Sequence, residues 1–297
     1  PMPLQALLLV LIAALLHATW NVAAKKAGGG DAFVLLSALI VTVLWAPVCV
    51  VAGWHELPRW GWLEWAVAAA SGAIHLVYFR TLLRGYRESD LTIVYPVARG
   101  TGPLLSSIMA VLLLGESLGL QGGAGVVGIT AGVFLIAGGP GLWRQARHAK
   151  DAGQRARVRA GLVWGMATGA LICGYTVLDG WAVKVLLVSP ILLDYFGNAL
   201  RVPFMLPAAL RDRAGYLAAW RAQWRYAMLS ATLGPIAYVL VLYAVKLAPL
   251  SHVAPAREVS MLFAALLGGR LLGEGDRGLR LAGAAAIAAG VIALASG

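Results

Sequence analysis

The chain contains the same stretch of sequence twice, and this repetition constrains its fold more than any other feature. Each copy has an Ala-Arg pair, an apolar run that ends in Leu-Leu-Gly-Glu, and then a segment rich in glycine and alanine. Both copies carry an arginine inside the apolar segment, which predicts two similar halves related by a pseudo-two-fold axis. One offset of 158 residues aligns Arg99 with Arg257, Glu116 with Glu274, Gly125 with Gly283 and Gly132 with Gly290.

The composition is that of a membrane protein. Hydrophobic residues make up 60% of the chain and charged residues 12%, with a mean hydropathy of +0.79, whereas a soluble domain has about 25% charged residues. We therefore predict an all-α integral membrane protein whose first span is a retained helix and not a cleaved signal peptide. The ten predicted spans are Leu4–Ala24, Ala32–Ala52, Trp62–Leu83, Leu91–Leu114, Gly122–Ala137, Gly161–Leu178, Pro190–Leu210, Tyr226–Val245, Leu250–Leu272 and Leu281–Ala295.

One connection is long and polar, and it divides the chain into two halves. It is the basic linker at residues 144–159, which separates a first repeat at residues 1–143 from a second at residues 160–297. Each half has five spans, an odd number, so the two repeats must enter the membrane in opposite orientations. The predicted architecture is ten transmembrane helices as two inverted five-helix repeats around a central cavity.

The positive charges gather on one side of this arrangement. Loops after the odd-numbered spans hold seventeen Lys and Arg residues, and the opposite side holds only Arg59, Lys184 and Lys246. The positive-inside rule puts the Arg-rich loops in the cytoplasm and both termini in the periplasm of a bacterial inner membrane. Because the net charge of +11 lies in these loops, it indicates membrane orientation and not nucleic-acid binding.

At the repeated segment the chain resembles a known family. Residues 92–137 contain Thr-Ile-Val-Tyr-Pro-Val-Ala-Arg, Leu-Leu-Leu-Gly-Glu and Gly-Val-Val-Gly-Ile-Thr-Ala-Gly-Val, and they resemble the repeat of the drug/metabolite transporter superfamily, of the ten-helix EamA type. Residues 250–295 resemble its second copy, and Trp20-Asn21 ahead of Lys25 is similar to its opening helix. The resemblance implies a bundle with a central cavity that exports amino acids or other small metabolites, as bacterial aromatic amino acid exporters do.

The first span departs from a related pattern. Small multidrug transporters of the same superfamily use a Glu in helix 1 to bind protons and cations, whereas span 1 here offers His17 and Asn21. The resemblance therefore favours a facilitated or weakly coupled carrier over proton-coupled efflux of cationic drugs.

Arg99 and Arg257 are the most costly residues in the predicted spans, since an arginine at bilayer depth needs a partner or a wet cavity. They line the cavity and meet a substrate carboxylate, or they are structural and pair with Glu258, Asp194 or a backbone carbonyl. Aromatic rings with one polar atom suit a pocket for an amphipathic solute, although each also suits packing. The predicted substrate-binding residues are His17, Asn21, His75, Tyr78, Tyr95, Arg99, Trp164, Tyr175, Tyr238 and Arg257.

Other polar groups are predicted to be structural. Asp194 and Arg201 are too far apart on one helix to touch, and Asn198 could bridge them. Glu116 and Glu274 are expected to cap the helix that follows each, with gating as the alternative. Small residues in spans 5, 6 and 10 predict close helix packing, and Cys49 and Cys173 are predicted to be packing residues.

The sequence contains no motif for nucleotide binding, metal-dependent hydrolysis or a nucleophilic enzyme. We therefore predict a secondary transporter, without cofactor or metal, that exports amino acids by alternating access, most of all aromatic or bulky neutral ones. A carrier for organic anions such as phosphonates, or for other small metabolites and drugs, is the alternative, followed by a membrane enzyme or a scaffold. The expected partners are a small solute and the lipid bilayer, in a monomer or homodimer.

Overall fold

The computed structural model describes residues 2–28, 30–137, 139, 141, 151–267 and 277–297. These residues form helices and their connections, with no strand among them. Leu57–Arg59 forms a single turn of 3₁₀ helix, and Arg257–Val259 forms another. The helices are α1 (Leu4–Lys26), α2 (Asp31–Leu44), α3 (Ala46–Gly53), α4 (Trp62–Glu88), α5 (Leu91–Leu114), α6 (Leu120–Ile136), α7 (Ala152–Lys184), α8 (Pro190–Ala199), α9 (Arg201–Arg211), α10 (Arg213–Leu247), α11 (Leu250–Ala256), α12 (Ser260–Leu267) and α13 (Arg277–Ser296).

Six described helices are long and apolar enough to cross a bilayer, or seven if the bent pair α2–α3 is counted as one span. They are all helical where the sequence predicted spans, and α5 has the predicted bounds. The predicted linker differs from the structure at its end. Asp151 accepts a hydrogen bond from the backbone N–H of Gln154 at 2.6 Å, and α7 begins at Ala152, so residues 152–159 are helical; residues 144–150 lie outside the described part.

Prolines interrupt the spans, and side chains from distant helices bond the carbonyls that they free. A proline cannot donate to the carbonyl four residues earlier. The hydroxyl of Ser107 donates to the Ser251 carbonyl, at 2.9 Å, four residues before Pro255. In α10, the indole Nε1 of Trp45 donates to the carbonyl that Pro235 leaves free. These kinks are tolerated in a bilayer because protein surrounds the exposed backbone.

Glycines bring several helices into backbone contact, as their spacing predicted. A Cβ added to Gly132 would lie 2.6 Å from the Gly283 carbonyl, and one added to Gly125 would lie 2.8 Å from that of Gly290. This pairing shows that α6 and α13 run antiparallel. On α7, the glycine stripe Gly161, Gly165 and Gly169 packs in turn on Ile93, Val97 and Thr101 of α5. The main apolar core lies among α1, α6, α7, α10, α11 and α13.

Candidate functional site

Arg99, on α5, is paired with a residue of the 3₁₀ turn between α11 and α12. Its Nη2 lies 2.9 Å from Glu258 Oε2 and donates to the Ser260 hydroxyl at 3.1 Å. All three side chains are buried, and Glu258 is only 1% exposed. The structural alternative, a pair with Glu258, therefore describes Arg99.

Arg257 has a different environment. It is 5% exposed, and its Nε and Nη2 have no hydrogen-bond partner among the described residues. Glu258 follows it in the chain, but the carboxylate of Glu258 is the one that pairs with Arg99. We call Arg99, Arg257, Glu258 and Ser260 the arginine cluster; it contains two guanidinium groups and one carboxylate.

Four of the predicted aromatic residues come together in one cluster. His75 stacks on Tyr175, with ring centroids 3.9 Å apart, and its Nδ1 donates to the Ser71 carbonyl at 2.8 Å. Tyr238 meets the edge of His75, at 5.6 Å, and Tyr78 meets Tyr175, at 5.7 Å. We call His75, Tyr78, Tyr175 and Tyr238 the aromatic cluster. The charges of both arginines reach Tyr78, which links this cluster to the arginine cluster.

The sequence prediction missed a buried carboxylate beside this cluster. The hydroxyl of Tyr238 donates to Asp179 Oδ2, and Asp179 is fully buried, with the Ser71 side chain also beside its carboxylate. The predicted sixth span ended at Leu178, one residue before Asp179, whereas α7 continues to Lys184. A signal was present nonetheless, because the repeat offset of 158 aligns Asp179 with Asn21, which had been selected.

Asp194 and Arg201 lie on the same side of the molecule as Asp179. The charges of both carboxylates act on Arg201, yet Arg201 forms no ion pair within the described part of the chain, and its Nε has no hydrogen-bond partner. Asn198 donates to the backbone carbonyl of Asp194, at 2.8 Å, and its side chain also lies beside the Asp194 carboxylate. We call Asp179, Asp194 and Arg201 the aspartate cluster; it contains two carboxylates and one guanidinium group.

The remaining predicted residues divide between the centre and one end of the bundle. His17, which meets Trp20 edge-on at 5.1 Å, is reached by the charges of both arginines. Asn21 donates to the His17 carbonyl, and Tyr95 is close enough to be influenced by Arg99 and Glu258.

Trp164 is separate from these residues. Its indole Nε1 donates to Glu88 at 2.7 Å, and the guanidinium of Arg84 lies 4.8 Å from its ring centroid. It lines a surface depression of about 440 Å³ at the start of α7, with Arg155 and Arg159. The structure therefore does not bring Trp164 together with the other predicted site residues.

Glu116 caps a helix, but not the one that follows it. Its carboxylate accepts the backbone N–H groups of Leu250 and Ser251, at 2.7 and 2.8 Å, so it caps α11 of the second half and not α6. Lys184 donates to the same carboxylate at 2.7 Å. Burial raises the pKa of Glu116, but Lys184 and the two N–H groups outweigh it, so this pKa is below its ordinary value. Glu274 lies outside the described residues.

Length, hydropathy and helical packing together define a multi-pass helical membrane protein with buried charges at its centre. Residues 4–138 match the EamA-like transporter family. This match supports the resemblance seen in the repeat, because the matched residues 4–138 include the first copy of the repeated segment. That family consists of transporters and not enzymes, so the match supports a membrane transporter of small metabolites.

The comparison with solved structures extends the likeness to both halves. A structure titled "Crystal structure of protein" superimposes with a TM-score of 0.70 and 20% sequence identity, over 97% of this chain and 95% of that chain. At this identity the likeness establishes the fold alone. No curated protein matches the chain.

Proposed function

We propose that the protein is a secondary transporter that exports amino acids, most of all aromatic or bulky neutral ones, by alternating access. The observation that carries this proposal is Arg257, a buried guanidinium whose Nε and Nη2 have no hydrogen-bond partner among the described residues and whose charge acts on Tyr238 of the aromatic cluster. A buried charge without a partner is costly in a bilayer. A solute carboxylate supplies the missing partner, and the planar guanidinium can bind it through two parallel hydrogen bonds.

The aromatic cluster supplies the second half of the proposal. Its rings present apolar faces with a few polar atoms, which is the lining that suits an amphipathic solute. A benzyl or indole side chain would stack among these rings while its carboxylate meets Arg257. The rings of His75 and Tyr175 are already stacked on each other. A solute ring would therefore contact this stacked pair on the side where Tyr78 lies.

The transport mechanism rests on ten spans in two inverted repeats, residues 1–143 and 160–297. The helix pairings support it, because they exchange when the offset of 158 is applied. In the order of the chain, α1, α2 and α4 correspond to α7, α8 and α10, and α5 corresponds to α11 with α12. The packing of α5 against α7 then has its equivalent in the packing of α11 and α12 against α1. The packing of α4 against α7 is equivalent to that of α10 against α1. The packing of α2 against α10 is equivalent to that of α8 against α4. The antiparallel pair α6–α13 corresponds to itself, as an inverted repeat requires.

The proposed orientation follows the charges. Arg-rich loops face the cytoplasm of a bacterial inner membrane, and the termini face the periplasm. In this orientation the cap that Glu116 and Lys184 form on α11 joins the two repeats at the periplasmic end. Accessibility of single cysteines placed at Lys26 and Gly297 to an impermeant thiol reagent, in a variant that lacks the two native cysteines, checks the sidedness.

Counterflow of labelled phenylalanine into proteoliposomes that contain purified protein tests the function. We expect uptake that depends on unlabelled phenylalanine inside and is blocked by excess aromatic amino acids outside. Tyr78→Ala and Arg257→Ala should reduce it strongly. Cys49→Ala, a change at a buried residue of α3 far along the chain from both clusters, should not. Equal counterflow in all three variants would contradict the site assignment.

The second candidate is a carrier of organic anions such as phosphonates. It is favoured by the same observation, since an unpaired guanidinium binds a phosphonate as well as a carboxylate. Competition distinguishes the two: if phosphonates block labelled uptake and phenylalanine does not, the amino acid proposal is wrong.

A further inference from the structure

Helix α7 is too long to lie wholly within a bilayer, so its first turns extend beyond the hydrocarbon core. It has 33 residues, which at about 1.5 Å per residue is about 50 Å, whereas the core is about 30 Å thick. Its last residue, Lys184, lies at the end of the bundle where Glu116 caps α11. About twenty residues counted back from Lys184 lead to Trp164, which places Trp164 at the opposite membrane surface, where tryptophan is enriched.

One exposed face of α7 changes from charged to apolar as the helix enters the bilayer. Arg155 and Arg159 are exposed, lie about one turn apart and precede Trp164. Val163 and Met166 continue the same face, because residues at spacings of three and four share one side of a helix. Their side chains are 55% and 59% exposed. The two arginines therefore lie at the level of the lipid headgroups, and the apolar pair begins the level of the acyl chains.

The surface depression at the start of α7 brings these charged and apolar groups together. It has a volume of about 440 Å³, and its lining includes both arginines, Val163 and Trp164. Neither Arg155 nor Arg159 forms an ion pair with any residue that the structure describes. The depression therefore offers two free guanidinium groups beside an apolar surface.

The carboxylate of the depression, Glu88, does not neutralise these arginines. Arg84 Nε donates to its Oε1 at 2.8 Å, and the indole Nε1 of Trp164 donates to its Oε2 at 2.7 Å. Asp90 and Asp151 line a separate depression. An anion from outside the chain is therefore the fitting partner for the two guanidinium groups.

We propose that this depression binds the headgroup of an anionic phospholipid. The phosphate oxygens accept hydrogen bonds from Arg155 and Arg159, whose planar guanidinium groups match phosphate geometry, and an acyl chain lies along Val163 and Met166. Basic pockets at the ends of membrane helices bind such headgroups. A free phosphate would use only the charged part of this face, whereas a phospholipid also covers its apolar part. The inference goes beyond the proposed function, because it does not depend on which solute the protein carries.

Native mass spectrometry of the purified protein in detergent measures binding of three probes: phosphatidylglycerol, phosphatidylcholine and soluble glycerol 3-phosphate. We expect phosphatidylglycerol to bind at least about 10-fold more tightly than either of the others. The double variant Arg155→Gln with Arg159→Gln should weaken binding of phosphatidylglycerol by at least about 10-fold, and it should change binding of phosphatidylcholine by less than about 3-fold. Gel filtration checks that the variant is folded.

The matched control is the double variant Arg211→Gln with Arg213→Gln. It removes two exposed arginines from the same end of the bundle, between α9 and α10, and should leave binding of phosphatidylglycerol within about 3-fold of the wild type. Unchanged binding in the α7 variant, or an equal loss in the control, would show that the depression is not the lipid site. If glycerol 3-phosphate binds as tightly as phosphatidylglycerol, the ligand is a soluble anion and the lipid assignment is wrong.

Discussion

Arg99 and Arg257 occupy the same position in the two copies of the repeat, yet their surroundings are opposite. Arg99 has an ion pair with Glu258 and a hydrogen bond to Ser260, whereas two nitrogens of Arg257 have no partner in the described part of the chain. The difference begins one residue later: Glu258 follows Arg257, and Gly100 follows Arg99. A side chain at Gly100 would collide with the ring of Phe134, where an added Cβ lies 2.6 Å from the nearest ring atom. The residues that follow the two arginines therefore differ, and within the described residues only Arg99 forms an ion pair.

The largest effect should come from removing the paired arginine. Arg99→Gln leaves Glu258 buried without its cation, and we expect a loss of about 3–5 kcal/mol in the free energy of unfolding. Chemical denaturation of the purified protein measures it. The double variant Arg99→Gln with Glu258→Gln should recover most of this loss, because the carboxylate that lost its cation is also removed. A double variant as unstable as the single one would show that the ion pair is not the cause.

The unpaired arginine should behave in the opposite way. Arg257→Gln should leave the free energy of unfolding equal or higher, since it removes a buried charge without a partner. It should also lower phenylalanine counterflow by at least about 30-fold, as expected when one partner of a buried charge pair is lost. If Arg99→Gln and Arg257→Gln lose stability equally, the contrast between the two positions is not real.

Where the two copies are alike, equivalent substitutions should have equal effects. Gly132 and Gly290 are related by the offset, and an added Cβ at either meets a backbone carbonyl at 2.6–2.7 Å. Gly132→Ala and Gly290→Ala should each reduce the free energy of unfolding by about 1–3 kcal/mol. Gly123→Ala is the control, because nothing lies within 4 Å of its added Cβ, and it should be neutral or slightly stabilising. Unequal losses of stability in Gly132→Ala and Gly290→Ala would show that the two ends of the α6–α13 contact are not equivalent.

The smallest effect concerns the cap that joins the copies. Because the pKa of Glu116 is lower in the folded protein than its ordinary value, its contribution to stability is present above about pH 4.5 and is lost as pH falls through the folded pKa. Glu116→Gln should cost about 1 kcal/mol at pH 7. The variant should also lose less stability than the wild-type protein as the pH falls from 7 to 3. Thermal unfolding between pH 3 and pH 7 measures this difference. An unchanged pH dependence in Glu116→Gln would assign the sensitivity to another group.

The sequence predicted where the helical segments lie better than whether each segment is one unbroken helix. The apolar window Leu91–Leu114 became one helix with the same bounds, whereas Pro190–Leu210 is divided into α8 and α9 at Leu200. Pro203 explains this break, because it cannot donate to the Ala199 carbonyl. Hydropathy windows measure apolar content and are insensitive to such a break. Because these windows measure apolar content, the charged Asp179 ended the predicted sixth span at Leu178, although α7 continues to Lys184.

The site was predicted in part. The sequence selected the arginines and the aromatic residues because charged and amphipathic groups are unusual in a bilayer. It could not separate Trp164 from Tyr175, which lie on the same helix three turns apart and contact different partners. Nor could it tell that Glu116 caps α11, since this contact joins residues more than a hundred positions apart.

By itself the sequence determined that this protein is helical, that it is apolar enough to cross a membrane, and that a segment with an arginine among apolar residues occurs twice. These properties follow from composition, apolar periodicity and repetition, all of which are local or additive along the chain. Only the tertiary structure decided that Arg99 has a carboxylate partner and that Asp179 accepts a hydrogen bond from Tyr238. The physical reason is that a buried charge is balanced by whatever side chain lies within hydrogen-bond distance, and that distance is set by how the helices pack.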